Sequence, residues 1–209
     1  MTDYSDIITA LVAGDADKVC SLVQTEVDNG IKASEILSTG LINGMDIVGD
    51  KMQSGDMFIP EVLMAAMAMG KAVEILKPLL GEDESSSVGH IVVGTVKGDL
   101  HDIGKNLVSM MVGSTGFEVT DLGVDVSPED FVKAVQEKNA TIVALSALLT
   151  TTMPMMKKTI DALHESGLGD QVKILVGGAP VTQAFADEIG ADGYAADAGS
   201  AAKLAKSYA

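Results

Sequence analysis

Arginine is absent from this chain and so is tryptophan; cysteine occurs once, at Cys20, and there are only three Tyr and four Phe. Each gap excludes something. With no guanidinium fork, and with 30 acidic against 14 basic residues for a formal net charge of −16, the surface offers nucleic acid neither a basic patch nor bidentate phosphate contacts. A single cysteine permits no internal disulfide and no thiol-built zinc cage, so Cys20 reads as a small apolar residue. Scarce aromatics argue against stacking on bases or flavins. Every apolar run falls short of the roughly 18 residues that a membrane helix needs, and the opening Met1 to Asp6 lacks the basic flank of a signal peptide. A cytoplasmic protein with no membrane partner is expected.

What is present is core-forming material, 47% apolar over 209 residues, enough for one large or two small domains. Residues 1–83 carry apolar side chains at helical spacing (Ile7, Ile8, Leu11, Val12, then Val19, Leu22, Val23, Val27), which predicts four or five helices packed as a bundle. Gly14-Asp15 reads as a stop followed by an N-cap, Asn29-Gly30 as a stop, Ser34 as a cap, and Ser54-Gly55-Asp56 as a turn; Pro60 fits the first turn of a last helix reaching about Leu80. The polar run 81–87 is the expected linker.

From residue 84 to 209 the pattern changes to strand candidates at 88–96, 118–122, 141–145, 173–176 and 193–196. They alternate with helix candidates at 103–114, 128–138, 154–166, 180–189 and 198–207. This predicts an α/β domain with a five-stranded parallel sheet of flavodoxin-like, Rossmann-like order 2-1-3-4-5. Ligands bind such sheets beyond the carboxyl ends of the strands, at the point where the order reverses, here between strands one and three. Two loops converge there: Lys97 to Gly104 after strand one, and Ser146 to Thr152 after strand three.

The first loop pairs Asp99 with His101, two residues apart and on one side of an extended backbone. Several chemistries do not fit it. A phosphate-binding Gly-rich loop fails on Asp99 and on Asn106, which stands where a Mg-binding hydroxyl belongs. A phosphoacceptor domain would place an acid at the end of strand three, where Leu145-Ser146 stands. His90, His101 and His164 are too scattered for a zinc cage, and the chain has no Gly-x-Ser-x-Gly elbow. What remains is one imidazole oriented by one carboxylate, which suits a metal that brings its other ligands in a macrocycle.

Asp99-x-His101-x-x-Gly104, Ser146-x-Leu148 and Gly177-Gly178, in that order and on the ends of those strands, resemble the signature of cobalamin-binding domains in methionine synthase and the corrinoid methyl-carrier proteins. Met57-Phe58-Ile59-Pro60-Glu61-Val62 is similar to the start of the cap helix in these proteins. The resemblance implies a helical cap over 1–83 and a cobalamin-binding domain over 84–209. It also implies that His101 is the cobalt ligand, with Asp99 setting its tautomer and Thr152 extending the relay. Gly104 would lie beside the corrin, Ser146, Gly177 and Gly178 beside the nucleotide tail, and Phe58 at the upper face, with Asp102, Ile103, Leu148 and Thr150 also binding the cofactor. Small residues at 146, 177 and 178 would leave the slot for that tail.

The function so implied is a corrinoid protein that accepts a methyl group on cobalt from a substrate-specific methyltransferase. It would deliver the group to a second methyltransferase that uses tetrahydrofolate or coenzyme M, with a reductive activation protein as a third partner. A protein of this size should be inactive alone. A cobalamin-dependent sensor is the alternative in another class, and it would need a DNA-binding or signalling module. The small subunit of a radical isomerase is a third reading, disfavoured by the helical first half.

Overall fold

The structure is a computed structural model that describes residues 4–80 and 88–209. The run 81–87, expected as a linker, lies outside the described residues, as do residues 1–3. The chain divides into two compact units, one built from the N-terminal helices and the other from the sheet and its helices.

In the first unit, α1 (Ser5–Val12) and α2 (Ala16–Asp28) meet at Gly14-Asp15, where Gly14 takes φ +70 and Asp15 accepts a hydrogen bond from Lys18 N at 3.1 Å. That bond satisfies one of the donors a helix start leaves open. Asp15→Ala should therefore lower stability by about 1 kcal/mol in urea unfolding. Asn29-Gly30 ends α2, and Gly55, left-handed at φ +81, ends α4 (Asn43–Ser54). The expected cap at Ser34 is not one. Lys32, in extended backbone, precedes α3 (Ala33–Glu35), because Ala33 is already drawn into the core; Ser34 lies inside the first turn. The helix then continues through a π-helical stretch (Ile36–Ile42) into α4. Gly40 in this stretch and Gly44 in the first turn of α4 face α1, and a Cβ on Gly44 would come within 2.7 Å of Leu11 Cδ2. Pro60 sits in the first turn of α5 (Ile59–Leu76), which ends before Leu80 in a 3-10 turn (Lys77–Leu79).

The second unit alternates β1 (His90–Thr95), α6 (Ile103–Gly113), β2 (Glu118–Asp121), α7 (Pro128–Lys138), β3 (Ile142–Ser146), α8 (Pro154–Glu165), β4 (Lys173–Gly177), α9 (Gln183–Ile189), β5 (Gly193–Ala195) and α10 (Ala198–Ser207). All pairings are parallel and the order is β2-β1-β3-β4-β5. β1, β3 and β4 are apolar on both faces because helices cover both sides, whereas edge strand β2 (EVTD) keeps polar residues. One core layer gathers Phe131, Val143, Leu145, Met156, Ile160 and Leu163. Gly94 makes room for it, since a Cβ there would lie 2.6 Å from Phe131 Cζ. α9 starts three residues later than the periodicity predicts. Thr182 takes the capping position and accepts from Phe185 N at 3.2 Å, so the chain before it is not helical.

Register sets the functional edge. Thr95 lies beside Ser146, Ser146 beside Gly177, and Gly177 beside Ala195, so the strand ends finish in one row. Among the described residues no helix is long and apolar enough to cross a membrane.

Candidate functional site

Beyond that row, the chain after β1 turns at Lys97-Gly98, with Gly98 left-handed at φ +82 and Asp99 N donating to Val96 O at 3.1 Å. Asp99 then folds inward to complete burial while His101 stays half exposed. The pair meets through an Asx turn: Asp99 Oδ1 accepts from His101 N at 3.2 Å and bonds His101 Nδ1 at 2.7 Å. Backbone alternation therefore predicts the contact, but this turn is what makes it.

The other carboxylate oxygen faces the loop after β3. Asp99 Oδ2 accepts from Leu148 N at 2.8 Å, Leu149 N at 3.2 Å and Thr152 Oγ1 at 2.7 Å. Burial alone would push the Asp99 carboxyl up. The bonds from Thr152 and His101 and from the Leu148 and His101 N–H groups outweigh it and hold the carboxyl well below the usual carboxylate range. An ionised carboxylate can only accept, so His101 Nδ1 carries a proton, and in the neutral imidazole Nε2 presents the lone pair. Thr95 Oγ1 adds a bond to His101 O at 2.8 Å.

Around the imidazole the surface is apolar. Leu100 is 72% exposed and Ile103 86%, and Leu148 and Leu149 also reach solvent. Gly104 is exposed, and a Cβ there would meet nothing within 4 Å. Such a rim, with open space above the first turn of α6, suits a flat apolar macrocycle better than a hydrated ion. Asp102, with Oδ2 held by Asn106 Nδ2 at 3.2 Å, and Thr150 are exposed polar neighbours.

Other sequence candidates fall elsewhere. Gly177 and Gly178 lie on the functional edge, but the chain itself takes the room beside them. A Cβ on Gly177 would lie 3.0 Å from Ala195 O and one on Gly178 1.9 Å from Ala147 O, so close strand-end packing itself requires that both be small. Phe58 belongs to the helical unit, 69% exposed at the head of α5, with its N–H donating to Glu61 Oε2 at 2.8 Å. Lys105, which a phosphate site would need, is buried in an ion pair with Asp121 and donates to Asn106 Oδ1 at 2.6 Å. His90 stands at the opposite end of β1 and bonds Thr120 Oγ1 at 2.7 Å.

The sequence does not single out Asp125. It adopts φ +58, and its carboxylate accepts from Gly98 N at 2.8 Å and from Lys97 Nζ at 3.0 Å. The Gly98 N–H, then Lys97, lowers the Asp125 carboxyl from its ordinary pKa. Neither spacing nor composition marks that residue, because its role depends on the return of the chain after β2.

A parallel sheet with a carboxylate-held imidazole in an apolar rim at the reversal point is the arrangement of an α/β protein that binds a metal-centred cofactor. A B12 binding domain model matches residues 89–203 and a second B12 binding domain model matches residues 4–77. The chain belongs to the B12-binding family, and its cofactor is cobalamin or a related corrinoid. Dimethylamine corrinoid protein 1 of Methanosarcina acetivorans is 46% identical over 96% of this chain and 94% of its own length. A solved cobalamin-binding protein from Desulfitobacterium hafniense DCB-2 matches with TM-score 0.86 at 34% identity, over 99% of this chain and 98% of that one. A methanol:cobalamin methyltransferase complex from Methanosarcina barkeri matches with TM-score 0.85 at 32% identity, over 98% of this chain and 78% of that one.

Proposed function

We propose that this protein is the methyl carrier of a corrinoid-dependent methyltransferase system and that His101 is the cobalt ligand. The observation that carries the reading is the half-exposed His101 imidazole, held at Nδ1 by a buried carboxylate on a loop that also exposes Leu100 and Ile103. When bound, the corrinoid supplies a cobalt that takes up and releases a methyl group. The chain's own part is to hold and orient that group. Asp99 keeps the Nε2 lone pair available, and Thr152 fixes Asp99 from the other side. Ile103, Gly104 and Asp102 would border the macrocycle, and Ser146, Leu148, Thr150, Gly177 and Gly178 its nucleotide tail.

On this reading residues 1–83 cap the cofactor domain formed by 84–209, and Phe58 is an apolar side chain exposed for the corrin's other face. The methyl group would come from one methyltransferase and pass to a second that uses tetrahydrofolate or coenzyme M, with a reductive activation protein restoring the cobalt. The 46% identity to a protein named for dimethylamine, against 32% for one from a methanol system, favours a methylated amine as the donor. No membrane partner is needed, and we place the protein in the cytoplasm.

The test is to load wild-type protein and His101→Ala with hydroxocobalamin and record visible spectra from pH 5 to 9. Stoichiometric binding is expected for wild type, with a spectrum that shifts on His101→Ala. Identical spectra would remove His101 as ligand, and no binding by either protein would remove the carrier reading. Methyl transfer to the reduced holoprotein, with dimethylamine, trimethylamine and methanol methyltransferases offered in turn, then identifies the donor.

A further inference from the structure

We propose that Asp125, in the loop between β2 and α7, is a positioning residue for His101: it clamps Lys97, Gly98 and Asp99 so that the imidazole is presented to the cofactor. The inference rests on the reading of His101 as the cobalt ligand. Three contacts fall on three consecutive residues. Asp125 Oδ2 pairs with Lys97 Nζ at 3.0 Å, Asp125 Oδ1 accepts from Gly98 N at 2.8 Å, and Asp125 N donates to Asp99 O at 3.0 Å. The next residue, Val126, donates to Thr95 O at 3.0 Å and bridges Val96, so the return strand lies along the whole approach to the site.

Two observations argue that the clamp is selected and not incidental. Asp125 holds left-handed backbone, φ +58, a region that few non-glycine residues enter and that Asp and Asn enter most readily, so the residue type suits the turn. Its side chain is 43% exposed, so it contributes little to a core, yet both carboxylate oxygens are spent on the turn before Asp99. That turn needs outside support. Gly98 is itself left-handed, and the five donors gathered on the Asp99 carboxylate can hold His101 only if the Asp99 backbone is already in place. Asp125 N on Asp99 O supplies that hold, and the carboxylate keeps Asp125 where its N–H can reach.

The test uses full-length protein loaded with a cobalt(II) corrinoid that lacks a nucleotide base, so that any axial nitrogen comes from the protein, as wild type, Asp125→Asn, Asp125→Gly, His101→Ala and Asp15→Ala. One axial nitrogen-14 splits the cobalt(II) electron paramagnetic resonance lines into triplets, so the triplet fraction reads imidazole ligation directly. Asn tolerates the left-handed backbone and keeps an acceptor for Gly98 N, whereas Gly tolerates the backbone and keeps no acceptor. Wild type and Asp125→Asn should agree within twofold, Asp125→Gly should lose at least threefold, and His101→Ala should lose the triplet. Asp15→Ala, destabilised in the helical unit, should keep it. An Asp125→Gly spectrum like wild type, a loss in Asp125→Asn as deep as in Asp125→Gly, or an equal loss in Asp15→Ala would overturn the positioning role alone. A wild-type spectrum without triplets would overturn the ligand reading, and this inference with it.

Discussion

Asp99→Asn is expected to keep the fold, lose about 1–3 kcal/mol of stability at pH 7 and move the His101 ring proton from Nδ1 to Nε2. The argument is a census of donors. Two from His101 meet Oδ1 and three, from Leu148, Leu149 and Thr152, meet Oδ2. All five donate in the wild type, so the NH2 of an asparagine is directed at N–H or O–H groups whichever way it turns. The imidazole can answer by changing tautomer and the Thr152 hydroxyl by turning its proton to Leu149 O, 2.8 Å away, but the Leu148 and Leu149 N–H groups have no such option. The amide therefore turns toward His101, and Nε2 loses its lone pair. Nitrogen-15 NMR of His101 reports the tautomer and urea unfolding the stability. A variant that kept the proton on Nδ1 would show that the carboxylate does not set it.

The same substitution has a pH signature. The Asp99 carboxyl titrates lower in the folded protein than its ordinary value near 3.9, so the unfolded chain takes up the proton first. The stability this carboxylate confers is complete above about pH 5 and is lost as pH falls through that ordinary value toward the lowered one. Asp99→Asn has no such carboxylate to protonate. The stability gap between wild type and variant should narrow between pH 6 and pH 3, and a constant gap would contradict the lowered carboxyl.

Gly178→Ala should cost about 3–5 kcal/mol, among the largest effects available to a single added methyl. Gly178 has φ +130, and its Cβ would lie 1.9 Å from Ala147 O and 2.9 Å from Ala147 C. Both obstacles are backbone, which cannot rotate away. Relief requires the loop after β3 to shift, and this loop carries the Leu148 and Leu149 N–H groups and Thr152 to Asp99. Gly104→Ala is the contrasting case: nothing lies within 4 Å of the new Cβ, and replacing a helical Gly by Ala should stabilise the apoprotein by about 0.5–1 kcal/mol. On the proposed function the same methyl should weaken corrinoid uptake. Urea unfolding of both apoproteins, with corrinoid titration of Gly104→Ala, checks the pair.

Much of the fold was legible because its causes are local or periodic. Apolar runs bounded by turn residues mark β1, β3 and β4, the alternation with helices forces a parallel sheet, and Asp15, Gly55 and Pro60 act within a turn of where they stand. Boundaries were missed where a side chain chose between neighbouring roles, as at Ser34 and Thr182, since capping is decided by which residue the core has already claimed. The glycines of the functional edge carry a packing requirement that was hidden for a related reason. Sequence shows that Gly177 and Gly178 are small, but only the packed strand ends show that Ala195 and Ala147 carbonyls occupy the space.

The sequence by itself determined the architecture, the strand order and the loop at which Asp99 and His101 stand, because hydrophobic periodicity and two-residue spacing are properties of the chain alone. Tertiary structure decided that the Asp99 carboxylate is buried with five donors on it, that Lys105 turns away into an ion pair with Asp121, and that Asp125 reaches back across the sheet edge to Lys97 and Gly98. Those contacts join residues tens of positions apart. A hydrogen bond depends on where two atoms lie in space, and nothing in the order of residues states that before the sheet has formed.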